Sequence, residues 1–219
     1  MAKDLKNLLA HHLHDVRLRD AAARHLHGRL IDIGCGTKPY ADMFRDLVDE
    51  HVGVDHEASP HDTSQLDLFG SAYEIPAPDA SFDCAVSTAV LEHLEEPERA
   101  LRECHRVLKP GAAVIYSVPF IWNIHEAPRD FYRFSKYGLR YLFEKVGFEI
   151  VEITPLSGFW ATFGQLLVYN MYRFHRGPLR YLPIIPLLGL CVQGVSYALD
   201  HLDRAEDWTW MYLVVARKP

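Results

Sequence analysis

Two stretches of this chain bring together residue types that can do chemistry. In the first, Leu30-Ile31-Asp32-Ile33-Gly34-Cys35-Gly36-Thr37-Lys38-Pro39-Tyr40, an apolar run meets an acid and then two glycines at a spacing of two. Without a Cβ, Gly34 and Gly36 let a ligand come close to the backbone. Apolar residues ending in a Gly-x-Gly turn suggest a buried parallel strand handing over to a helix, with Pro39 suited to a first helical position. The second stretch, residues 119–135, sets Phe120, Trp122, Phe131, Tyr132 and Phe134 among His125, Glu126, Arg129, Asp130 and Arg133. Apolar walls with a few orienting polar groups are what a small-molecule site requires. The alternative for these charges is an ordinary surface loop with ion pairs such as Arg129–Asp130.

The glycine turn is not a dinucleotide fingerprint. That motif needs a third glycine where this chain has Pro39, so a pyrophosphate cradle is disfavoured. A nucleotide-type ligand is still indicated, because Val52-Gly53-Val54 leads into Asp55 about 20 residues further on. A carboxylate at that strand end can accept two hydroxyl donors, as a ribose diol offers.

The remaining elements must position these groups. Strands are expected at 51–55, 64–69, 80–88, 112–118, 148–153 and 208–216, alternating with helices over 39–49, 97–108 and 136–146. Residues 56–63 read as a polar turn. Ser135 caps the 136–146 helix and Gly147 ends it. Alternation of this kind makes an α/β fold whose parallel sheet binds ligands beyond the strand carboxyl ends. Asp32, Asp55, Ser71, Ser87 and Thr88 all fall at such ends.

Composition narrows the partners. The chain has 219 residues, 49% hydrophobic and 24% charged, with a net charge of −6. That suits one globular α/β domain and gives no basic face for nucleic acid. Cys35, Cys84, Cys104 and Cys191 form no CxxC pair, and the first residues lack the apolar run of a secretory signal. Reduced thiols in a cytoplasmic protein are expected. His11, His12, His14, His25 and His27 crowd the N-terminal segment, but no carboxylate or cysteine completes a ligand set there, and no metal is expected.

With Asp32 before it and Asp55 after it, the glycine turn resembles motif I of the class I S-adenosylmethionine-dependent methyltransferases. Phe82-Asp83, Leu91-Glu92-His93-Leu94 and Arg106-Val107-Leu108-Lys109-Pro110-Gly111 follow in fixed order. This series is similar to the methyltransferase type 11 subfamily, and with motif I it covers roughly residues 28–120. The resemblance implies a Rossmann-like doubly wound sheet of seven strands, order 3-2-1-4-5-7-6, mostly parallel, its last strand antiparallel. It also implies S-adenosyl-L-methionine as cofactor. The cofactor-binding residues would be Asp32, Gly34, Cys35, Gly36, Lys38, Asp55, His56, Ser71, Ala72, Ser87 and Thr88. Relatives carry a glycine at the place of Lys38 and commonly an aspartate at that of Ser71, so adenine contact here leans on the backbone near Ala72.

Methyl transfer asks for alignment, exclusion of water and, for a hydroxyl acceptor, removal of a proton. His125 is the expected base, with Glu126 orienting it or touching substrate; Asp130, Tyr132 and His93 are further candidates, His93 having a structural alternative as a helix-packing residue beside Glu92. Relatives with a similar Lys-Pro-Tyr after the glycine turn and a similar His-Glu…Asp-Phe-Tyr-Arg loop are associated with polysaccharide and glycolipid biosynthesis. That suggests a sugar-type hydroxyl on a small-molecule or glycolipid acceptor; the alternatives are N- or C-methylation of a small molecule, or a membrane-associated protein that binds the cofactor without activity.

Two segments lie outside the family core. Residues 1–27 read as amphipathic helix and, by resemblance, as a lid over the methyltransferase domain of 28–219. Residues 155–207 read as an insertion, with a helix over 158–174, basic residues Arg173, His175, Arg176 and Arg180, and an uncharged run over 181–199. The run is long enough to span a membrane. A single crossing would leave the last strand on the wrong side, and Pro183, Pro186, Gly189 and Gly194 interrupt it. A peripheral contact at the inner face of a membrane, a homodimer interface through 158–199, or a buried helix beneath the substrate loop remain.

Overall fold

The computed structural model describes residues 5–56, 66–203 and 207–219. Contacts divide it into two compact units, one of residues 18–119, 124–154 and 212–219, the other of 1–17, 120–123 and 155–211.

The larger unit carries the sheet. Its strands are β1 (Arg29–Ile33), β2 (Glu50–Asp55), β3 (Leu68–Phe69), β4 (Phe82–Thr88), β5 (Leu108–Pro119), β6 (Glu149–Pro155) and β7 (Met211–Arg217), in the order β3-β2-β1-β4-β5-β7-β6. β1 pairs in parallel with β2, from Arg29 beside Glu50 to Ile33 beside Val54, and with β4 on its other side. β7 runs antiparallel to β5, with Gly111 N–H donating to Lys218 O and Lys218 N–H to Ala112 O. Both faces of the central strands are buried, which is why Leu30-Ile31 and Cys84-Ala85-Val86 read as continuous apolar runs instead of alternating.

Helices cover that sheet. α3 (Pro97–Val107) opens on a proline and buries Ala100, Leu101, Cys104 and Val107, one helical stripe. α4 (Lys136–Lys145) is capped by Ser135, whose Oγ accepts the Gly138 N–H at 3.2 Å, and buries Leu139 and Phe143. Phe44, Phe82, Phe143, Leu30, Ile31, Leu101 and Ile115 are among the fully buried side chains of this core.

Several boundaries differ from the sequence reading. The helix expected over 39–49 is a single turn, α2 (Ala41–Phe44), because Leu47 N–H already bonds back to Phe44 O and Asp49 N–H to Gly28 O. Pro39 therefore precedes the capping residue Tyr40 instead of occupying the first helical position. Lys109-Pro110-Gly111 does not separate helix from strand: β5 starts at the buried Leu108, and its exposed residues 109–111 run alongside Lys218. β3 is only Leu68–Phe69, and Ser64 and most of the 56–63 turn lie outside the described residues.

The smaller unit holds the start of α1 (Leu8–His25), α5 (Phe159–Tyr172) and α6 (Ile184–Leu202). Asp200 caps α5 across the helix pair, its carboxylate accepting Gly158 N–H at 2.6 Å and Ala161 N–H at 3.1 Å. Gly164 is a point of contact, since a Cβ there would lie 2.0 Å from Ser196 Oγ. Gln193 ties α6 to the N-terminal turn, donating to Leu5 O and accepting Leu9 N–H at 2.8 Å. α6 is not a buried helix: Gly189, Gln193 and Ser196 alone are buried in it. By length and composition it could cross a membrane.

Candidate active site

A cleft of about 770 Å³ opens at the carboxyl ends of β1, β2 and β4 in the larger unit. One part is built from the glycine turn. Gly34 holds φ +72°, and a Cβ there would lie 2.5 Å from the Val90 side chain, so no other residue fits. Gly36 N–H donates to Asp55 Oδ2 at 2.8 Å, and His56 N–H to Asp55 Oδ1 at 2.7 Å. The Asp55 carboxylate is thereby aimed along the cleft wall, and each oxygen keeps a lone pair for a ligand hydroxyl. Gly34, Cys35, Gly36, Asp55, His56, Ser71, Ala72 and Thr88 all line the cleft. A backbone turn bare of side chains, facing a strand-end acid, fits the nucleoside and amino-acid ends of S-adenosyl-L-methionine. Ser71 Oγ accepts Tyr73 N–H at 3.2 Å, so that hydroxyl is partly engaged in shaping its own turn. Burial pushes the Cys35 thiol up to about 12, so this cysteine is a packing residue and not a nucleophile.

Three residues grouped with these by sequence lie elsewhere. Asp32 is buried beneath the turn, 3.0 Å from His51 Nε2, and its burial raises its carboxyl above the ordinary range. Ser87 is buried and donates to Ile33 O at 2.9 Å, tying β4 to β1. Lys38 pairs with Asp67 and donates to His51 O at 3.2 Å, so its ammonium turns towards β2 and not into the cleft. These three support the turn instead of lining it.

The other part of the cleft is where residues 124–135 meet the short turn Leu91–His93. Phe131 and Tyr132 N–H both donate to Glu92 O, at 2.9 and 3.3 Å, and Tyr132 Oη donates to Glu95 O at 2.9 Å. His93 Nδ1 bonds to the Arg129 carbonyl. A carbonyl only accepts, so Nδ1 carries the proton and, in the neutral ring, Nε2 presents a lone pair. His93, Glu126 and Arg129 line the cleft, and Glu126 sits at φ +52°, a left-handed conformation that a non-glycine residue holds only at some cost. His125 stacks edge-on behind His93 with ring centroids 4.7 Å apart. Glu92 lies under both rings, fully buried, with neither carboxylate oxygen hydrogen-bonded.

The candidates for proton transfer thus separate. His93 and Glu126 face the cleft, whereas His125, Asp130 and Tyr132 stand outside its lining. Asp130 is held by Arg133 at 2.6 and 2.8 Å and by His125 N–H at 2.9 Å, and the guanidinium keeps its carboxyl well below the usual carboxylate range. A carboxylate so held is a poor base. Glu92 was visible in the sequence only as a neighbour of His93; its burial and its approach to His125 depend on a fold-back that residue spacing does not encode.

A family model described as "Methyltransferase domain" matches residues 31–116. A probable S-adenosylmethionine-dependent methyltransferase of Mycolicibacterium smegmatis is 32% identical over 112 residues, covering 48% of this chain and 44% of that relative. The chain thus spans less than half the length of that curated relative. A crystal structure of a Thermotoga maritima S-adenosylmethionine-dependent methyltransferase, titled a possible histamine N-methyltransferase, superposes with TM-score 0.62 at 19% identity. It covers 97% of this chain and 93% of that one, a likeness of fold. The cyclase SpnF superposes with TM-score 0.59 at 26% identity over 93% of this chain and 80% of its own.

Proposed function

We propose that this chain, whose residues 31–116 match a methyltransferase domain, acts as an S-adenosylmethionine-dependent methyltransferase that moves a methyl group to an oxygen of a small or lipid-linked acceptor, a sugar-type hydroxyl. The observation that carries the oxygen assignment is His93, whose Nδ1 is committed to Arg129 O so that Nε2 is left as a lone pair on the cleft wall. When bound, the cofactor supplies a methyl group on a sulfonium, electrophilic enough that the protein need only align, dehydrate and deprotonate. Gly34, Gly36 and Asp55 hold the cofactor. Glu126 and Arg129 orient the acceptor, and the acceptor proton leaves at His93, a change from the His125 expected from sequence. A nitrogen acceptor needs no such base and is the second reading.

Incubation of the protein with methyl-labelled donor and fractionated cell extract tests this. Label is expected in an alkali-stable methyl ether, and His93→Ala should slow transfer by roughly 10²–10⁴-fold while affinity for S-adenosylhomocysteine stays as in wild type. Full turnover by His93→Ala would select a nitrogen or carbon acceptor.

We also place the smaller unit against an anionic membrane surface on the cytoplasmic side. Trp160, Phe163, Leu167, Phe174, Leu187 and Leu188 are exposed on or beside α5 and α6, with Arg173, Arg176 and Arg180 between the two helices. An apolar surface flanked by arginines matches an interfacial contact, and it suits a lipid-linked acceptor.

A further inference from the structure

We propose that Glu92, His93 and His125 form a site for a divalent first-row transition-metal ion, with Glu126 as a fourth ligand. Glu92 Oε1 lies 3.8 Å from His93 Nε2 and 3.7 Å from His125 Nε2, and Glu126 Oε2 is 3.8 Å from His93 Nε2. One ligand atom from each of the three core residues falls within 4.8 Å of the others. These separations are too long for hydrogen bonds. They are close to those of atoms sharing an ion, since bonds of about 2.0–2.2 Å at tetrahedral angles put ligand atoms roughly 3.3–3.6 Å apart.

Glu92 points the same way from a different direction. A carboxylate removed from water with neither oxygen hydrogen-bonded is costly unless a cation compensates it, and Glu92 is 0% exposed with both oxygens in that state. The far side of the His93 ring carries the support that a metal-bound histidine uses, and a carboxylate stands near the far side of His125. His93 Nδ1 is fixed on the Arg129 carbonyl, and His125 Nδ1 lies 3.6 Å from Asp130 Oδ2. Arg133 Nη2 also approaches that nitrogen at 3.3 Å. Arginine only donates, so His125 Nδ1 accepts here and the neutral ring's proton sits on Nε2; ion binding therefore includes transfer of that proton to Nδ1 and a turn of Nδ1–H towards Asp130, whose carboxylate is held by two bonds from Arg133.

Two imidazoles with one or two carboxylates suit zinc, iron or manganese, whereas magnesium and calcium favour oxygen ligands throughout. The ion's role rests on the oxygen-acceptor reading and refines its last step. With an ion bound, the His93 lone pair would sit on the metal and would no longer take the acceptor proton; the ion would acidify an acceptor oxygen entering a further coordination position, and the proton would pass to water in the open cleft. The site itself does not depend on that reading.

The test uses the full chain stripped of metal with a chelator and titrated calorimetrically with zinc, manganese and magnesium chlorides, with S-adenosylhomocysteine titrated in parallel as the check on folding. Wild type should bind a zinc ion that His11→Ala also binds, which separates the site from the histidine-rich N-terminal segment. Glu92→Gln and His125→Ala should each weaken zinc binding by roughly 100-fold or more, since loss of outer partners alone costs about 10–100-fold, while S-adenosylhomocysteine binding stays unchanged. Zinc binding that is absent in wild type, or equal in wild type and Glu92→Gln, overturns the proposal. Loss of S-adenosylhomocysteine binding by wild type would instead overturn the methyltransferase reading, and the zinc titration would still decide the ion site.

Discussion

Asp130 and Arg133 show how one side chain's role depends on a partner the sequence does not announce. The Asp130 side chain, 3% exposed, accepts two bonds from Arg133 and one from the His125 backbone. The guanidinium lowers its carboxyl well below the usual range. A folded-state value below the unfolded one gives stability that is present above pH ~4 and lost as pH falls through the folded value. Asp130→Asn should therefore cost about 3 kcal/mol at neutral pH by stranding Arg133, and the gap to wild type should narrow in acid. Urea melts at pH 7 and pH 3 measure both; equal stability at pH 7 would remove the pair from the account. From sequence Asp130 is a candidate base, because a short loop of His, Glu, Asp and Arg does not say which charges neutralise one another. Lys38 is a similar case. It stood beside the glycine turn and invited a cofactor contact, but its partner Asp67 is 29 residues further on.

At the scale of elements, what was legible were runs whose pattern is local. The buried strands β1 and β4, the amphipathic α3 with Pro97 at its start, and the Ser135 cap all follow from spacing and composition. Illegible were features set by distant contacts. β5 could extend back through Pro110 because the chain end at Lys218 supplies its partner, and α2 stops after one turn because the following backbone bonds to Gly28. The cluster at Glu92 depends on the 119–135 stretch folding back onto a turn some thirty residues earlier. α6 was readable as apolar, but its exposure was not. Exposure leads to a flotation experiment. Vesicles rich in phosphatidylserine should carry the wild-type protein upward in a density gradient. Each surface arginine is worth about 1 kcal/mol, so replacing Arg173, Arg176 and Arg180 together by alanine should reduce partitioning roughly 100-fold. Protein that stays at the bottom contradicts the membrane contact, and a stable dimer under those conditions selects self-association through the same helices.

Across the whole molecule, the strand order 3-2-1-4-5-7-6 matches that implied by the motif resemblance. Its order brings β1, β2 and β4 together, and their carboxyl ends form the cleft. From sequence, a lid at 1–27 and an insertion at 155–207 stand apart from the core, whereas the contacts group 155–211 with residues up to 17 and with 120–123, a grouping between distant segments that local patterning does not encode. Such folds host varied chemistry, as the likeness to SpnF illustrates, so cofactor binding must be measured directly. Calorimetric titration of S-adenosylhomocysteine into wild type and Asp55→Ala tests the central claim. The account predicts one molecule bound per wild-type chain, and an affinity roughly 100-fold lower in Asp55→Ala from the loss of two charge-assisted hydrogen bonds. Absence of binding by wild type, or equal binding by Asp55→Ala, would contradict it.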